Sequence, residues 1–294
     1  MTLSATHFTD PGCPWAYSAS PALAVLRWRF GDAIEWRLVT IGLTESGEQY
    51  ERRGYTPARS ARGYLRFRRY GMPFATSPRR RIPGTSRACR AIVATRLSDP
   101  SRESAVFRAL QFGWFTSPLV LDEDADIARA LAGVPGLDVD AVVGAIDDPA
   151  VVEAYEADRA AARSAAGGAT EAQGRAANTD GVVRFTAPSV VFQAADGRRL
   201  EAGGFQPLEA YDLAIANLDP TLPRRDPPSQ VEEALGEFSY GLTTQEVAAL
   251  MAGHNEAPDR RAAEEALIEL AAAGGCTRVP LGDDALWIAG RPTG

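Results

Sequence analysis

The chain has 294 residues, a net charge of -7, and a composition 45% hydrophobic and 23% charged. Those figures suit one large globular domain, or a core domain with a small appendage, with the composition of an ordinary globular protein. No apolar run is long enough to span a bilayer, and residues 1–7 lack both the basic and the apolar regions of a secretory leader; no membrane association is expected, and the cytoplasm is the expected compartment.

Three widely separated cysteines, Cys13, Cys89 and Cys276, point to free thiols rather than a disulfide framework. The two histidines, His7 and His254, have no partner at ligand spacing, so no metal site is expected. All 31 basic residues are arginine, as a GC-rich coding background would give. Thirteen of them fall between residues 51 and 98 against one acid, Glu51, which makes that block about +12. Such a field either steers an anionic ligand or is neutralised by acids from elsewhere in the fold. Both readings stay open on sequence alone.

In chain order, residues 3–9 alternate as a strand, and Asp10-Pro11-Gly12 breaks the pattern just before Cys13. Apolar positions at helical spacing follow over 17–30, closed by Gly31-Asp32, and a second strand is expected over 34–41. The order is β-α-β, with Cys13 at the start of the helix. From about 55 to 178 the patterns are helical: 60–70, 85–97, 101–115, 124–131, 139–146 and 150–166, with 167–178 either extending the last helix or forming a loop.

Strand patterns return at 182–185 and 189–193, and Ala195-Asp196-Gly197 turns the chain into a hairpin partner at 198–202 before a helix over 207–218. Residues 219–229, with four prolines, read as a linker. Beyond it, helices over 231–238, 243–251 and 260–273 and two short strands near 278–281 and 286–289 follow the order of a winged helix. From residue 236 to 294 there are nine acids and four arginines, so no nucleic-acid binding is expected; docking or a homo-oligomer formed through this C-terminal domain is the expected role.

"DPGCPWAY" after the first strand and "FTAPSVVF" before the hairpin together resemble the DsbA superfamily of thioredoxin-fold proteins, in its cytoplasmic FrnE-like branch. The resemblance covers residues 3 to about 218. It implies an α/β thioredoxin-like fold with a long helical insertion over about 55–178. Residues 1–218 then form the DsbA-like domain, 219–229 the linker, and 230–294 a small winged-helix-like domain. It also implies that Cys13 is the active-site thiol, that Pro188 is the cis-proline, and that Pro14, Trp15, Ala187 and Pro188 line a thiol- or substrate-binding site. Trp15 and Tyr17 are placed either to wall that site or to pack in the core.

A cysteine at a helix N-terminus meets unpaired amides and the positive end of the dipole, so the Cys13 thiol is expected below its ordinary pKa, with Asp10 opposing this if its carboxylate faces the sulfur. Ala16 stands where dithiol relatives carry the resolving cysteine, which excludes the dithiol cycle at this motif.

Three routes remain. A low-molecular-weight thiol, glutathione or, in an actinobacterial source, mycothiol, resolves Cys13 in monothiol exchange; Cys89 approaches from the insertion; or Cys13 acts without forming a disulfide. The last is what resemblance to kappa-class glutathione transferases and 2-hydroxychromene-2-carboxylate isomerases implies, since these carry a single serine at that position. The leading expectation is a monothiol oxidoreductase or thiol transferase using Cys13 thiolate, with an anionic substrate or cofactor selected by the arginines. The alternatives are a kappa-like thiol-dependent transferase or isomerase, and a redox-silent partner-binding module.

Overall fold

The structure, a computed structural model, describes residues 3–179 and 181–290; residues 1–2, 180 and 291–294, which fall inside segments bounded above, lie outside it. Strand β1 (Leu3–Thr9) is followed by a helix in two pieces, α1 (Pro14–Ser18) and α2 (Ser20–Phe30), each with a proline within its first two residues, where an absent amide costs no helical hydrogen bond. Gly31, at φ 46°, ends α2, and β2 (Ile34–Thr40) returns parallel to β1.

The helical insertion comprises α3 (Gly47–Glu51), α4 (Pro57–Leu65), α5 (Ser86–Ser98), α6 (Glu103–Thr116), α7 (Asp124–Leu131), α8 (Val139–Gly144), α9 (Pro149–Ala162) and α10 (Ala169–Ala172). The chain then re-enters the sheet as the hairpin β3 (Ser189–Gln193) and β4 (Arg199–Ala202), and α11 (Leu208–Leu218) follows. Strand order is β2-β1-β3-β4, with β3 antiparallel to both its neighbours.

Alternation along the strands supplies both faces of this sheet. Leu3, Ala5, Val190 and Phe192 pack under Leu23, Leu26, Tyr211 and Ile215 of α2 and α11. Phe8, Val39 and Val191 face the other way, onto Ala162, Ala165 and Phe185.

Residues 182–185 do not form the expected strand. Both edges of β3 are already taken by β1 and β4. The segment makes one isolated bridge, Ala177 to Arg184, leaves Val182 51% exposed, and sends the Phe185 amide to the Ala162 carbonyl at 2.8 Å. The short α3 had no counterpart among the expected elements, and residues 167–178 are mostly loop around α10.

The C-terminal part contains α12 (Val231–Glu237), β5 (Leu242–Thr243), α13 (Thr244–Met251), α14 (Arg260–Ala272), β6 (Cys276–Leu281) and β7 (Asp284–Ala289), the strands forming an antiparallel sheet β5-β7-β6. A Thr243/Glu246 capping box starts α13, a device worth about 1 kcal/mol.

The proline-rich stretch has neither helix nor strand, yet it is bound to the core. Trp28 Nε1 donates to the Asp226 carbonyl at 2.8 Å, and the Arg225 amide donates to the Arg29 carbonyl at 2.8 Å. Ala24, Val25 and Trp28 of α2 share one apolar cluster with Leu235, Val247 and Trp287. A fully buried, bidentate Arg108–Glu246 pair at 2.6 and 2.7 Å joins α6 to α13. Among the described residues no helix is long and apolar enough to cross a membrane.

Candidate active site

Cys13 is the N-cap residue of α1, and its Sγ–H donates to the Ala187 carbonyl at 3.1 Å, across 174 positions of sequence. The Ala187–Pro188 peptide bond is cis. The loop holding it is braced from several directions: Thr186 Oγ1 donates to the Arg175 carbonyl at 2.8 Å, Ser189 Oγ donates to the Thr186 carbonyl at 2.7 Å, and the Gly204 amide donates to Ser189 Oγ at 3.0 Å. Folding therefore brings Cys13 and the Ala187–Pro188 loop together, with Pro14 and Trp15 continuing the turn.

The electrostatics of Cys13 correct the expectation of a depressed pKa. Burial pushes the thiol up to about 12, the amides of Ala16 and Trp15 pull it down, the Asp10 charge pushes it up, and the Arg184 guanidinium pulls it down. The cause is local geometry. Helix α1 has five residues and begins with proline, so few amides face the sulfur, while Phe8, Ala16, Ala187 and Val191 share its apolar cluster and exclude water. Loss of hydration then outweighs the helix terminus. The residue is 7% exposed, and its thiol is held as a neutral donor.

Asp10 is 0% exposed directly beneath this turn. Its carboxylate accepts the amides of Gly12 and Leu43, both at 2.9 Å, and the Thr85 hydroxyl at 3.0 Å, with the Cys89 thiol at 3.6 Å. Burial raises its pKa, and these donors oppose the rise. Cys89 is a fully buried residue on α5, its thiol driven well above the ordinary range by burial and by Asp10. Cys276 lies in the C-terminal cluster. All three cysteines are free.

Trp15 is 36% exposed and lies in an aromatic group with Phe67 at 4.9 Å, Phe205 at 5.4 Å and Tyr70 at 5.7 Å between ring centroids. Tyr17, by contrast, is a core residue: it is 0% exposed, donates to the Pro73 carbonyl at 3.0 Å and stacks on Phe115 at 4.7 Å.

Beside Gly12, Pro14 and Trp15 opens a cleft of about 400 Å³ between the turn and the insertion. Its walls include Tyr50, Tyr55, Tyr64, Phe67 and Trp114, with Arg59, Arg66, Arg79 and Arg81, and no lining residue is acidic. Cys13 itself does not line it; its two chain neighbours do. Burial raises the Tyr50 phenol above its ordinary pKa, and the nearby Asp10 charge adds to this.

The arginine block divides. Arg52, Arg68, Arg80, Arg81, Arg87, Arg90 and Arg96 reach carboxylates, among them Asp122, Glu123, Asp124, Asp147 and Asp158, so a large part of the charge is neutralised within the fold. Arg59 and Arg66 instead stack on Tyr55 and Phe67, both at 5.0 Å.

With this geometry in view, comparison with known proteins is decisive. The sequence model of the DSBA-like thioredoxin domain family matches residues 6–167, more than half of the chain. The chain belongs to the DSBA-like thioredoxin domain family.

Two solved structures share the fold of this DSBA-like chain. A candidate protein disulfide isomerase from Nitrosomonas europaea is 15% identical with a TM-score of 0.55, covering 74% of this chain and 97% of its own. A candidate DsbA oxidoreductase from Streptomyces coelicolor is 18% identical with a TM-score of 0.55, covering 77% and 93%. No curated protein matches.

Sequence reasoning missed Tyr50, Tyr64, Arg79 and Trp114, all cleft residues. For Tyr50 and Tyr64 the available signal was the interleaving of aromatic residues with arginines between residues 50 and 74; Arg79 sat unremarked within the arginine block, and Trp114 carries no such local signal.

Proposed function

We propose that this DSBA-like chain is a thiol-dependent transferase or isomerase in which a low-molecular-weight thiol, mycothiol or glutathione, supplies the reacting sulfur. Cys13 acts on that sulfur as a neutral S–H donor. The observation that carries this reading is the state of Cys13: buried, pushed up to about 12, donating to the Ala187 carbonyl, with Ala16 where a resolving cysteine would stand. At neutral pH such a thiol is a poor nucleophile, because the thiolate is the attacking species. It is a competent hydrogen-bond donor.

The residues present suit a bound thiol. The Cys13 proton swings from Ala187 to an incoming sulfur, the amides of Trp15 and Ala16 add positive potential, and the Ala187–Pro188 loop supplies the facing backbone. The thiol brings nucleophilic sulfur to a co-substrate held in the adjoining cleft. In an addition or substitution a carbon–sulfur bond forms, the displaced electron pair leaves on the co-substrate or its leaving group, and the thiol proton passes to solvent. No net oxidation of Cys13 is required.

Monothiol exchange through a Cys13 mixed disulfide is the second reading, favoured by the Trp15 and Ala16 amides that pull the thiol pKa down and by the family itself. One experiment separates the two. Conjugation of mycothiol or glutathione to 1-chloro-2,4-dinitrobenzene is compared in wild type, Cys13→Ser and Cys13→Ala. Under the donor reading serine keeps most of the rate and alanine loses it; under exchange serine and alanine fail alike, and a small-thiol disulfide leaves an adduct on wild-type Cys13.

A further inference from the structure

The β6–β7 hairpin of the C-terminal part reaches back to the active turn through a single peptide group. Gly282 and Asp283 form its tip. Asp283 Oδ1 accepts the Phe74 amide at 2.7 Å, and the carbonyl of that same peptide group, on Pro73, accepts the Tyr17 hydroxyl at 3.0 Å. Tyr17 belongs to α1, the helix that Cys13 caps, and its own amide donates to the Cys13 carbonyl at 3.0 Å. The hydrogen bonds therefore run from Asp283 through the 73–74 peptide and Tyr17 to Cys13. A peptide group bonded at both its amide and its carbonyl is polarised, so each of these bonds strengthens the other.

The tip is shaped to sit there. Gly282 has φ 60°, and a Cβ on it would lie 3.1 Å from the Phe74 backbone, so a side chain would wedge the hairpin outward. The second oxygen of Asp283 pairs with Arg68 at 2.7 Å. From the same C-terminal part, the Gln245 side chain occupies the space that a Cβ on Gly71 would need, and Thr243 Oγ1 donates to Met72 Sδ at 3.5 Å. Residues 68–74 are thus gripped at Arg68, Gly71, Met72 and Phe74. This stretch meets the active turn a second time, because Phe67 and Tyr70 are rings that pack on Trp15 at 4.9 and 5.7 Å.

The need for a brace follows from α1 itself. It has five residues, begins with proline and lacks a side-chain cap, so it cannot hold its own geometry. Tyr17 is fully buried, and its hydroxyl has to be met from within the chain; the Pro73 carbonyl meets it.

We infer that Asp283 is a positioning residue for the active turn, and that the C-terminal hairpin is one wall of the Cys13 site. Asp283 acts through the 73–74 peptide and Tyr17, without touching thiol or co-substrate. The inference rests on the thiol-dependent reading only where turnover is measured.

The test follows alkylation of Cys13 and of Cys89 separately, by peptide mass, in the full chain across the alkaline range. Cys89 is fully buried on α5, outside the braced elements, and reports general loosening. Asp283→Ala is expected to raise the Cys13 rate about tenfold and leave Cys89 unchanged, the size of effect that one lost hydrogen bond in a polarised chain supports. Asp283→Asn keeps an oxygen acceptor for the Phe74 amide and gives up only the part-exposed Arg68 pair, so it is expected to stay within about twofold of wild type.

Gly282→Ala is the second variant: it keeps the carboxylate, sets a methyl against the Phe74 backbone, and is expected to speed Cys13 alkylation as well. An unchanged Cys13 rate in Asp283→Ala or Gly282→Ala, a parallel rise at Cys89, or an Asp283→Asn variant as fast as Asp283→Ala overturns the inference. Faster Cys13 alkylation in a chain that shows no thiol-dependent turnover keeps the brace and refutes the reaction; turnover by a chain whose Cys13 rate ignores Asp283 does the reverse.

Discussion

Asp10 lies beside the turn that carries Cys13 and Arg79 lines the cleft next to it, yet the fold treats their charges differently. Asp10 is sealed from water and meets two backbone amides, a hydroxyl and a thiol, all from within the chain. Arg79 is held just as firmly, but only by neutral oxygens. A buried carboxylate with four donors is a finished structural joint. Arg79 meets three neutral acceptors and, among the described residues, no carboxylate, so its charge is left uncompensated beside the cleft.

This contrast sets the order of expected effects. Asp10→Ala strands the part-buried amides of Gly12 and Leu43 and the buried Thr85 hydroxyl and should cost about 3 kcal/mol in urea unfolding, the low end for removing one partner of a buried charged network. A loss below about 1 kcal/mol would mean that water substitutes for the carboxylate, and the joint is then not sealed.

His7 offers a third case, a buried group with no hydrogen-bond partner at either ring nitrogen, whose pKa burial lowers to about 3, with Arg27 adding to the shift. Above pH ~6.5 the ring is neutral both folded and unfolded, so it imposes no penalty. Below that value the unfolded chain takes up a proton that the folded chain refuses. Stability should fall by about 2 kcal/mol between pH 6.5 and 5 through this residue alone. His7→Leu should remove that share of the acid sensitivity; an identical pH profile in the variant would mean the folded ring is protonated after all.

Arg79→Gln should cost only about 1 kcal/mol, because the hydrogen bonds lost are offset by relief of an unpaired charge. Arg59→Gln, an exposed side chain bonded to the Gly54 carbonyl at 2.8 Å, should change unfolding free energy by about 0.5 kcal/mol or less. A large loss from either variant would place these arginines in the structural framework and dissolve the contrast with Asp10.

The start of the fold was readable because its signals are local. Asp10-Pro11-Gly12 stops β1, Gly31 stops α2, and Ala195-Asp196-Gly197 turns β3 into β4. Residues 182–185 misled because an apolar run shows that a segment can join a sheet, not whether an edge is vacant. The motif around Cys13 pointed to a helix N-terminus and the family resemblance pointed to Ala187 beside it, but the electrostatics of the thiol were hidden. The sulfur is buried by Phe8, Ala187 and Val191, residues that only the sheet brings beside it. Likewise the acids that neutralise Arg80, Arg81, Arg87 and Arg90 lie between residues 122 and 147, beyond the arginine block itself. Composition alone could not separate these from Arg79.

The central claim is that Cys13 rests as a protonated donor, and the most direct test is the pH dependence of its alkylation, followed by intact mass in a Cys89→Ser, Cys276→Ser background. The account predicts an apparent pKa well above the ~8.5 of a free thiol and almost no modification at pH 7. An apparent pKa below ~8.5 with rapid labelling at neutral pH would contradict it, and would make Cys13 thiolate the working nucleophile.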